Sequence, residues 1–517
     1  MLCAYIRAEV NNHPPTLWPI RWGMSAPFIA QSLRRLLQPF ARSAGVAIAL
    51  PPLIAGAALA QSALQQPQAT TPVVIDGETT PEEWPAGVVA QCDEDWLYFR
   101  VKLAGEPQTL QGMPRTLALW VDADSNMGTG DRRALRSGTS FGVDFEVRFS
   151  PRELGSRGVE VVAHGPGGAA RVTSDRSRVH FAPTYASSGW YEVRVSRDIA
   201  EVPGLHTQGD ARSVFVLHEP DGTIGRWRSE PSTFAKPAFS GVTRYEQVDV
   251  PARHAGAVRV LSWNVERDSP VQEADRVARV ISALDADILL FQEWDAPAAD
   301  VERWFKTNLP AEEWYVIRGE GQGVLIVSRM PSTPLGPARL ALPDAQNPIR
   351  FVGATIYTPY GQAAVASVHL KCCGTLDSSE DIKRSAEATL INETMRKALN
   401  GSRVRARVIG GDFNLVGGRK PLDTMARGLD EAGSPLNTAR AGVLGDRASY
   451  TWRDAGTPFA AGRLDYLLVS ESGARIARTF VLDTSALTES ALTAAGLRHD
   501  DTLVSDHLPL VADLVIR

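Results

Sequence analysis

The stretch Val404–Leu415, VRARVIGGDFNL, sets the tightest limits on how this chain can fold. A short apolar run, Val408 and Ile409, meets Gly410 and Gly411 and then places Asp412 and Asn414 on either side of Phe413. Alternate residues of a strand share a face. Extended geometry carried past Gly411 would therefore point the carboxylate and the amide one way and return Phe413 to the core. The glycines allow close backbone approach or unusual dihedrals just before the pair. A carboxylate and an amide at the end of a buried strand suit a hard cation bound through oxygen, or an oriented water. A strand end closed by an Asx turn would look the same in isolation.

At 517 residues the chain exceeds one ordinary core, so two folded domains are expected. A hydrophobic content of 44% with 22% charged residues is that of a globular protein, which argues against wholesale disorder. The net charge is -5, and residues 257–517 hold 29 Lys and Arg against 33 Asp and Glu. A protein that coats duplex nucleic acid usually carries a basic surplus, so that role is disfavoured while a catalytic encounter with phosphate stays open. Outside the first residues, the cysteines are Cys92, Cys372 and Cys373. Adjacent cysteines bridge each other only with strain, and no CxxC spacing indicates structural zinc.

Residues 1–60 read as an export signal. Arg34, Arg35 and Arg42 precede the apolar run AGVAIALPPLIAGAALA, which ends in small residues before Gln61. Met24 opens this pattern and is the expected start of translation, and the Arg34-Arg35 pair loosely resembles a twin-arginine signal. The run is short and broken by Pro51-Pro52, so no stable membrane span is expected, although an uncleaved anchor is the alternative. The product is expected to be periplasmic or secreted. Residues 61–72 form a Gln/Ala/Thr/Pro linker.

Residues 73–250 read as all-β. LYFRVKL, TLALWVDA, FGVDFEVRF, GVEVVAHG, WYEVRVS and SVFVLHE alternate between Gly, Pro and Asp clusters, the pattern of an antiparallel sandwich. VIDGETTPEEW, DEDWLYFRV and LWVDADSNMGTG resemble the sandwich shared by family-9 carbohydrate-binding modules and DOMON-type domains, which implies a surface glycan as partner. Trp84, Trp96, Trp120, Trp190 and Trp227 are either sugar-stacking residues or core. Asp122, Asp124 and Asn126 look like the first half of a calcium loop. Arg133 stands where an EF-hand has its last ligand, which leaves a non-EF Ca²⁺ site or a polar turn.

Residues 257–517 alternate strand and helix. VRVLSWNV, ADILLFQEW, GVLIVSR, RFVGATIY, AAVASVHL, RVIGGDFNL, RLDYLLVS and LPLVADLVI are strands. Glu273–Leu284 and Asp381–Leu399 are helices, the second with Ala386, Leu390, Ile391 and Met395 on its buried side. The strands end in polar residues: Asn264 with Glu266, Gln292 with Glu293, His369, Asp412 with Asn414, Asp465, and Asp506 with His507. Carboxylates and amides without thiolates suit Mg²⁺ or Mn²⁺.

The order SWNV, QE, GVLIVSR, VHL, GDFN, RLDY, SDH resembles the endonuclease/exonuclease/phosphatase family, with its DNase-I-like fold. The resemblance implies a four-layer αββα sandwich over 257–517 and divalent-metal-dependent hydrolysis of phosphoesters. In that frame Glu293, Asn264 and Asp506 hold the metal, and Glu266 is a further acidic ligand. Asp412 positions or deprotonates the attacking water, and Asn414 holds the water or a phosphate oxygen. His507, oriented by Asp465, contacts the scissile phosphate. His369 is either the acid for the leaving oxygen or a transition-state donor, and Gln322 stands where nuclease members carry the glutamate that backs it. Arg350, Trp452 and Arg453 are candidate substrate contacts. The expected substrate is a phosphodiester, nucleic acid first. A sphingomyelinase-like or inositol-type phosphoesterase is the alternative, and a surface- or sugar-binding protein with an inactive catalytic domain is the alternative of another class.

Overall fold

The computed structural model describes residues 71–165, 168–171, 178–321, 323–343 and 345–517. The export segment, nearly all of the linker and Gln322 lie outside the described residues. Residues 65–517 cluster as one unit.

The first part is a β-sandwich. One sheet has the order Ala90–Cys92, Trp96–Val101, Tyr191–Ser196, Val179–Ala182. The other runs Ile224–Arg228, Gly209–His218, Thr116–Asp122, Phe145–Phe149, Val159–Gly165, Gly168–Arg171, with Ser232–Lys236 also paired to Gly209–His218. Strand alternation sorts the side chains: Leu97, Phe99 and Val101 meet Leu117, Leu119, Val121, Phe145 and Val147 in the core between the sheets. The alternate residues Trp96 and Tyr98 face the other way, into a core shared with Ala448, Tyr450 and Ala461 of the second part.

The second part has the four layers expected. Its first sheet runs Tyr315–Arg318, Leu325–Ser328, Ile288–Gln292, Val258–Asn264, Leu510–Ile516, Ala474–Val481. Its second runs Ser332–Pro334, Arg350–Thr358, Gly361–His369, Ala406–Asp412, Asp465–Val469, Asn437–Thr438. Val260, Leu290, Ile326 and Leu510 from one sheet meet Ala354, Val365, Val408 and Leu467 from the other. Outside, Val277, Val280, Ile281 and Leu284 of helix Ala274–Leu284 cover Leu261, Trp263, Leu289 and Phe291. Helix Ser379–Leu399 covers Ala364, Ala366 and Ile409 through Ala388, Ile391 and Met395.

That long helix departs from its expected face. Ala386 and Leu390 are only half-buried, while Arg384, Glu387 and Asn392 point inward. Each of the three has a partner that local sequence does not show: Arg384 donates to the carbonyls of Lys371 and Cys373 and to Asp381, Glu387 accepts from the Lys371 amide, and Asn392 donates to the carbonyls of Met425 and Arg427.

The two parts interlock through the segment before the strand Asp465–Val469. Arg194 donates two hydrogen bonds of 2.5 Å to the carboxylate of Asp446, and both side chains are shielded from solvent. Arg194 also donates to His180 and lies 3.8 Å from the Trp96 ring, and His180 stacks on Tyr450. The amide of Val159 donates to the carbonyl of Pro458, and the amide of Ala460 donates to the side chain of Gln111. Breaking a buried ion pair from one side leaves a charge uncompensated, which costs about 3–5 kcal/mol. Asp446→Ala is therefore expected to lower unfolding stability in urea by about 3–5 kcal/mol. The double change Arg194→Met with Asp446→Leu should regain most of the loss, since an apolar pair of similar volume needs no compensation.

Candidate active site

Register builds the centre of the site. In the second sheet the paired positions run Arg350 to His369, His369 to Asp412, and Asp412 to Asp465 across neighbouring strands. Paired residues of adjacent strands point to the same side, so four strand ends deliver four polar side chains in one row. In the first sheet Asn264 pairs with Gln292, and Glu293 follows immediately in the left-handed region at φ 61°. Gly323 crosses close over Glu293, where an added Cβ would meet its Cα at 2.8 Å.

The GGDFN stretch behaves only partly as extended geometry predicts. The strand ends at Asp412, and Asn414 is left-handed at φ 50°, yet the Asn414 side chain still donates to Asp412 Oδ2 at 2.8 Å. The Asn414 amide N–H folds back onto Asp412 Oδ1 at 2.9 Å, so a tight turn, not a continued strand, joins the pair. Phe413 is fully buried, as expected. Gly411 is required by close approach, because a Cβ there would collide with the Val368 carbonyl.

Asp412 is the hub. Besides Asn414, its Oδ2 lies 3.3 Å from Asn264 Nδ2, 3.2 Å from His369 Nε2 and 3.7 Å from His507 Nε2. Burial raises its carboxyl above the ordinary carboxylate range, and the charge of His507 opposes that rise. His507 Nδ1 meets Asp465 Oδ2 at 2.8 Å. Burial alone would lower this imidazole, but Asp465 and then Asp412 outweigh burial and carry it up to about 10. His507 is thus an imidazolium at neutral pH. The Trp263 indole donates to the His507 carbonyl, and Ser505 Oγ accepts from the His507 amide while donating to the Asn264 carbonyl.

His369 has the opposite charge state. Its Nδ1 lies 2.8 Å from Arg350 Nη1, so Nδ1 must accept and Nε2 carries the hydrogen that faces Asp412. Burial, then Arg350, push its pKa well below the ordinary histidine value. The ring is a neutral donor, which fits a transition-state hydrogen bond and opposes the proton-acid role. Arg350 also donates to the Leu370 carbonyl at 3.0 Å, so its guanidinium orients His369 as well as facing the site.

Glu266, Glu293, Asp506 and Asn264 form the second half. Asn264 Nδ2 lies 3.3 Å from Glu293 Oε1, and Glu266 Oε2 accepts from the Asp506 amide at 3.2 Å. Burial and then Asp506 raise the pKa of Glu266, and burial, with Glu293 adding, raises that of Asp506. Such mutually destabilised carboxylates, with oxygen-only donors, fit a hard divalent cation. Ligand atoms of Asp412, Asp465 and His507 also lie within 4.8 Å of one another. The carboxylate oxygens of Glu266, Glu293 and Asp506 do not converge that closely, so it is their oxygen-only chemistry and mutual repulsion, not a closed cage, that suits a cation on this side.

Trp452 and Arg453 both sit at this end. Trp452 Nε1 donates to Asp506 Oδ2 at 2.8 Å, and Arg453 pairs with buried Asp483 at 2.8 Å. Both are committed to the protein and act first as supports. Ser505 and Trp263 stand inside the SDH and SWNV motifs without their own roles being apparent there, and Arg384 stands in no motif.

In the sandwich, Trp84, Trp96 and Trp120 are buried, and Trp190 and Trp227 are half-buried. Trp84 donates to Glu192, Arg100 lies over Trp84 and Trp190, Arg133 over Trp120 and Arg194 over Trp96, and Trp227 packs against the sandwich core. Asp122 and Asp124 converge with Asp144, and the Asn126 side chain accepts from the Gly128 amide in an Asx turn. Burial, then Asp124 and Asp122, raise Asp144 to about 6.

The solved structures similar to this chain include an endonuclease/exonuclease/phosphatase from Bacteroides vulgatus, at 18% identity and a TM-score of 0.35, covering 50% of this chain and 99% of that one. The human Nocturnin catalytic domain matches at 19% identity and 0.36, covering 52% and 96%. Beta toxin from Staphylococcus aureus with bound magnesium ions matches at 17% and 0.34, covering 50% and 99%. No curated protein matches the chain. Among the described residues no helix is long and apolar enough to cross a membrane. The family model of the endonuclease/exonuclease/phosphatase family matches residues 261–507, and this C-terminal half of the chain belongs to that family of phosphoesterases.

Proposed function

We propose that the protein is an exported, divalent-metal-dependent phosphodiesterase acting on nucleic acid. The observation that carries the reading is the hub: one buried carboxylate, Asp412, held by two amides and faced by a charged and a neutral imidazole. Asp412 accepts the proton of an attacking water, and the Asn414 and Asn264 amides fix the oxygen that does so. The His507 imidazolium offsets the negative charge that gathers on the phosphoryl oxygens, and Asp465 keeps the ring charged and aimed. His369 adds a neutral N–H donor on the other side. A divalent cation held by Glu293, Asp506, Asn264 and Glu266 would supply Lewis-acid polarisation of the phosphate. Export is supported by the apolar run and small-residue end of residues 44–60.

Substrate choice is tested on residues 61–517 with plasmid and single-stranded DNA, RNA, bis-p-nitrophenyl phosphate, sphingomyelin and inositol phosphates. Nucleic acid should be cleaved fastest; a wide preference for sphingomyelin or an inositol phosphate moves the assignment to the alternative phosphoesterases. His507→Ala should lower kcat/KM by about 10²–10⁴-fold on bis-p-nitrophenyl phosphate. Unchanged hydrolysis in that variant would end the assignment of His507, and an unaltered chain that hydrolyses none of these substrates would favour the inactive, surface-binding alternative.

Chelation should abolish turnover, with Mg²⁺ or Mn²⁺ restoring it. Glu293→Gln should weaken Mg²⁺ binding in calorimetric titration and raise the Mg²⁺ concentration needed for half-maximal rate.

The pH profile follows from the two partners. Activity needs Asp412 deprotonated and His507 protonated, so it should fall on the acid side as Asp412 gains its proton and on the alkaline side near pH 10, where His507 loses its own. In Asp465→Asn the largest raising charge is gone while burial still lowers the imidazole. The alkaline limb should then move down towards or below the ordinary value of 6.5. An alkaline limb that stays near pH 10 in this variant would show that another group sets it.

A further inference from the structure

The segment Leu370–Gly374, LKCCG, leaves the site directly after His369 and holds chemistry that hydrolysis does not use. Cys372 and Cys373 place their sulfur atoms 2.9 Å apart. Cys373 is exposed and Cys372 half-buried, so small reagents reach the pair. The backbone at Cys373 is left-handed, at φ 71°, which a non-glycine residue adopts only at a cost. Lys371 Nζ lies 3.6 Å from Cys372 Sγ. The Cys373 contact, and after it the positive charge of Lys371 and Arg350, outweigh burial and lower the Cys372 thiol to about 5. Cys92 differs: burial pushes its thiol up to about 12, and its sulfur donates to the Asp93 carbonyl.

The peptide carrying this pair is tied to the catalytic hub by hydrogen bonds. The Leu370 carbonyl accepts from Arg350 at 3.0 Å and from Asn414 Nδ2 at 3.2 Å. The same arginine sets the tautomer of His369, and the same amide holds Asp412 Oδ2. Arg384, buried beneath, holds the carbonyls of Lys371 and Cys373. A change in the backbone from 371 to 373 therefore has a short mechanical route to two side chains of the site.

We propose that Cys372 and Cys373 are a reversible oxidation site whose vicinal disulfide slows the adjacent centre by displacing the Leu370 carbonyl from Arg350 and Asn414. The oxidant is a small disulfide. The Cys372 thiolate attacks one of its sulfur atoms, forming a mixed disulfide and expelling a thiolate. Cys373 then gives its proton to solvent, and its thiolate attacks the Cys372 sulfur and expels the second thiolate. The protein pair loses two electrons, and the small disulfide becomes two thiols once each leaving thiolate takes a proton. Adjacent residues hold their Cα atoms about 3.8 Å apart, closer than unstrained disulfides prefer. The bond is thus strained, and strained, exposed disulfides are the readily reduced ones that act as switches.

The slowing of hydrolysis rests on the phosphoesterase reading, and the chemical step does not. The full chain is equilibrated with glutathione disulfide or with dithiothreitol and followed by peptide mass mapping, by the nitrogen resonances of the His369 ring and by bis-p-nitrophenyl phosphate hydrolysis. A peptide with Cys372 linked to Cys373, a shifted His369 signal, and a drop in kcat on the order of tenfold to a hundredfold, all reversed by dithiothreitol, is the expected result. Cys373→Ser should keep the reduced activity and lose the response. Absence of the linked peptide, an unmoved His369 signal, or a response that persists in Cys373→Ser overturns the proposal. If neither redox form hydrolyses any phosphoester, the functional reading fails, and the linked peptide and the His369 signal still decide this one.

Discussion

Everything at the site depends on one row of strand register. Arg350 and His369 stand at the open end of one hairpin, Asp412 and Asp465 come from strands further along the chain, and pairing sets all four side by side. A slip of one residue in any of these strands would send its polar end to the other face, among Phe351, Val368 and Tyr466. The apolar residues of the strands therefore do two jobs: they fill the space between layers, and by fixing register they choose which polar residue stands at the row. Gln292 reinforces the match between sheets, donating to Ser367 Oγ, which itself donates to the Phe291 carbonyl. Two sheets joined by such buried polar contacts resist sliding, because any shift leaves the groups unpaired.

The sandwich takes part in this arrangement through one segment. Between Asp446 and Asp465 the chain runs against both parts, held by Arg194 at its start, by Val159 and Gln111 through its middle, and by Thr184, which donates to the Arg463 carbonyl. Along it, Tyr450 donates to Asp483, Arg453 pairs with Asp483, and Trp452 donates to the carboxylate of Asp506. The support of a proposed metal ligand is thereby itself supported by a β-sandwich. Outward-facing Trp96 and Tyr98, which a strand pattern offers equally to solvent, sugar or protein, are consumed in that contact.

How far the sequence revealed this depends on whether a feature is local. GDFN, SDH and RLDY are strand-end motifs, and their polar residues meet because strands end together at one edge of the sheets. The four-layer arrangement was implied by the family resemblance, and the alternation of apolar runs and helical spacing agrees with it. Arg350 as the partner of His369 was not legible, since the two are joined only by antiparallel pairing and nothing in RFVGATIY marks that register. The left-handed residues Glu293 and Asn414 were also hidden: neither is a glycine, and both hold conformations that surrounding contacts impose. Arg384 and Glu387 carry no sign of burial in the sequence because their partners are backbone groups of Lys371 and Cys373, in the loop that leads into the helix, and backbone groups leave no mark in residue type.

The two histidines show what the register achieves chemically. Both rings approach the same oxygen, Asp412 Oδ2, at 3.2 and 3.7 Å. Both are buried, and burial alone would make both neutral. The partner on the far nitrogen decides otherwise: a carboxylate behind His507 makes it a cation, and a guanidinium behind His369 keeps it uncharged. Two imidazolium rings around one carboxylate would leave a surplus of positive charge and bind its proton-accepting oxygen too tightly for it to act as a base. Two neutral rings would leave nothing to offset a phosphoryl dianion. In the proposed hydrolysis, one of each would give a carboxylate free to accept a proton, beside a cation that would stabilise the charge gathering on the phosphate. Asp465 and Arg350, which stand at opposite ends of the register row, are what divide these roles.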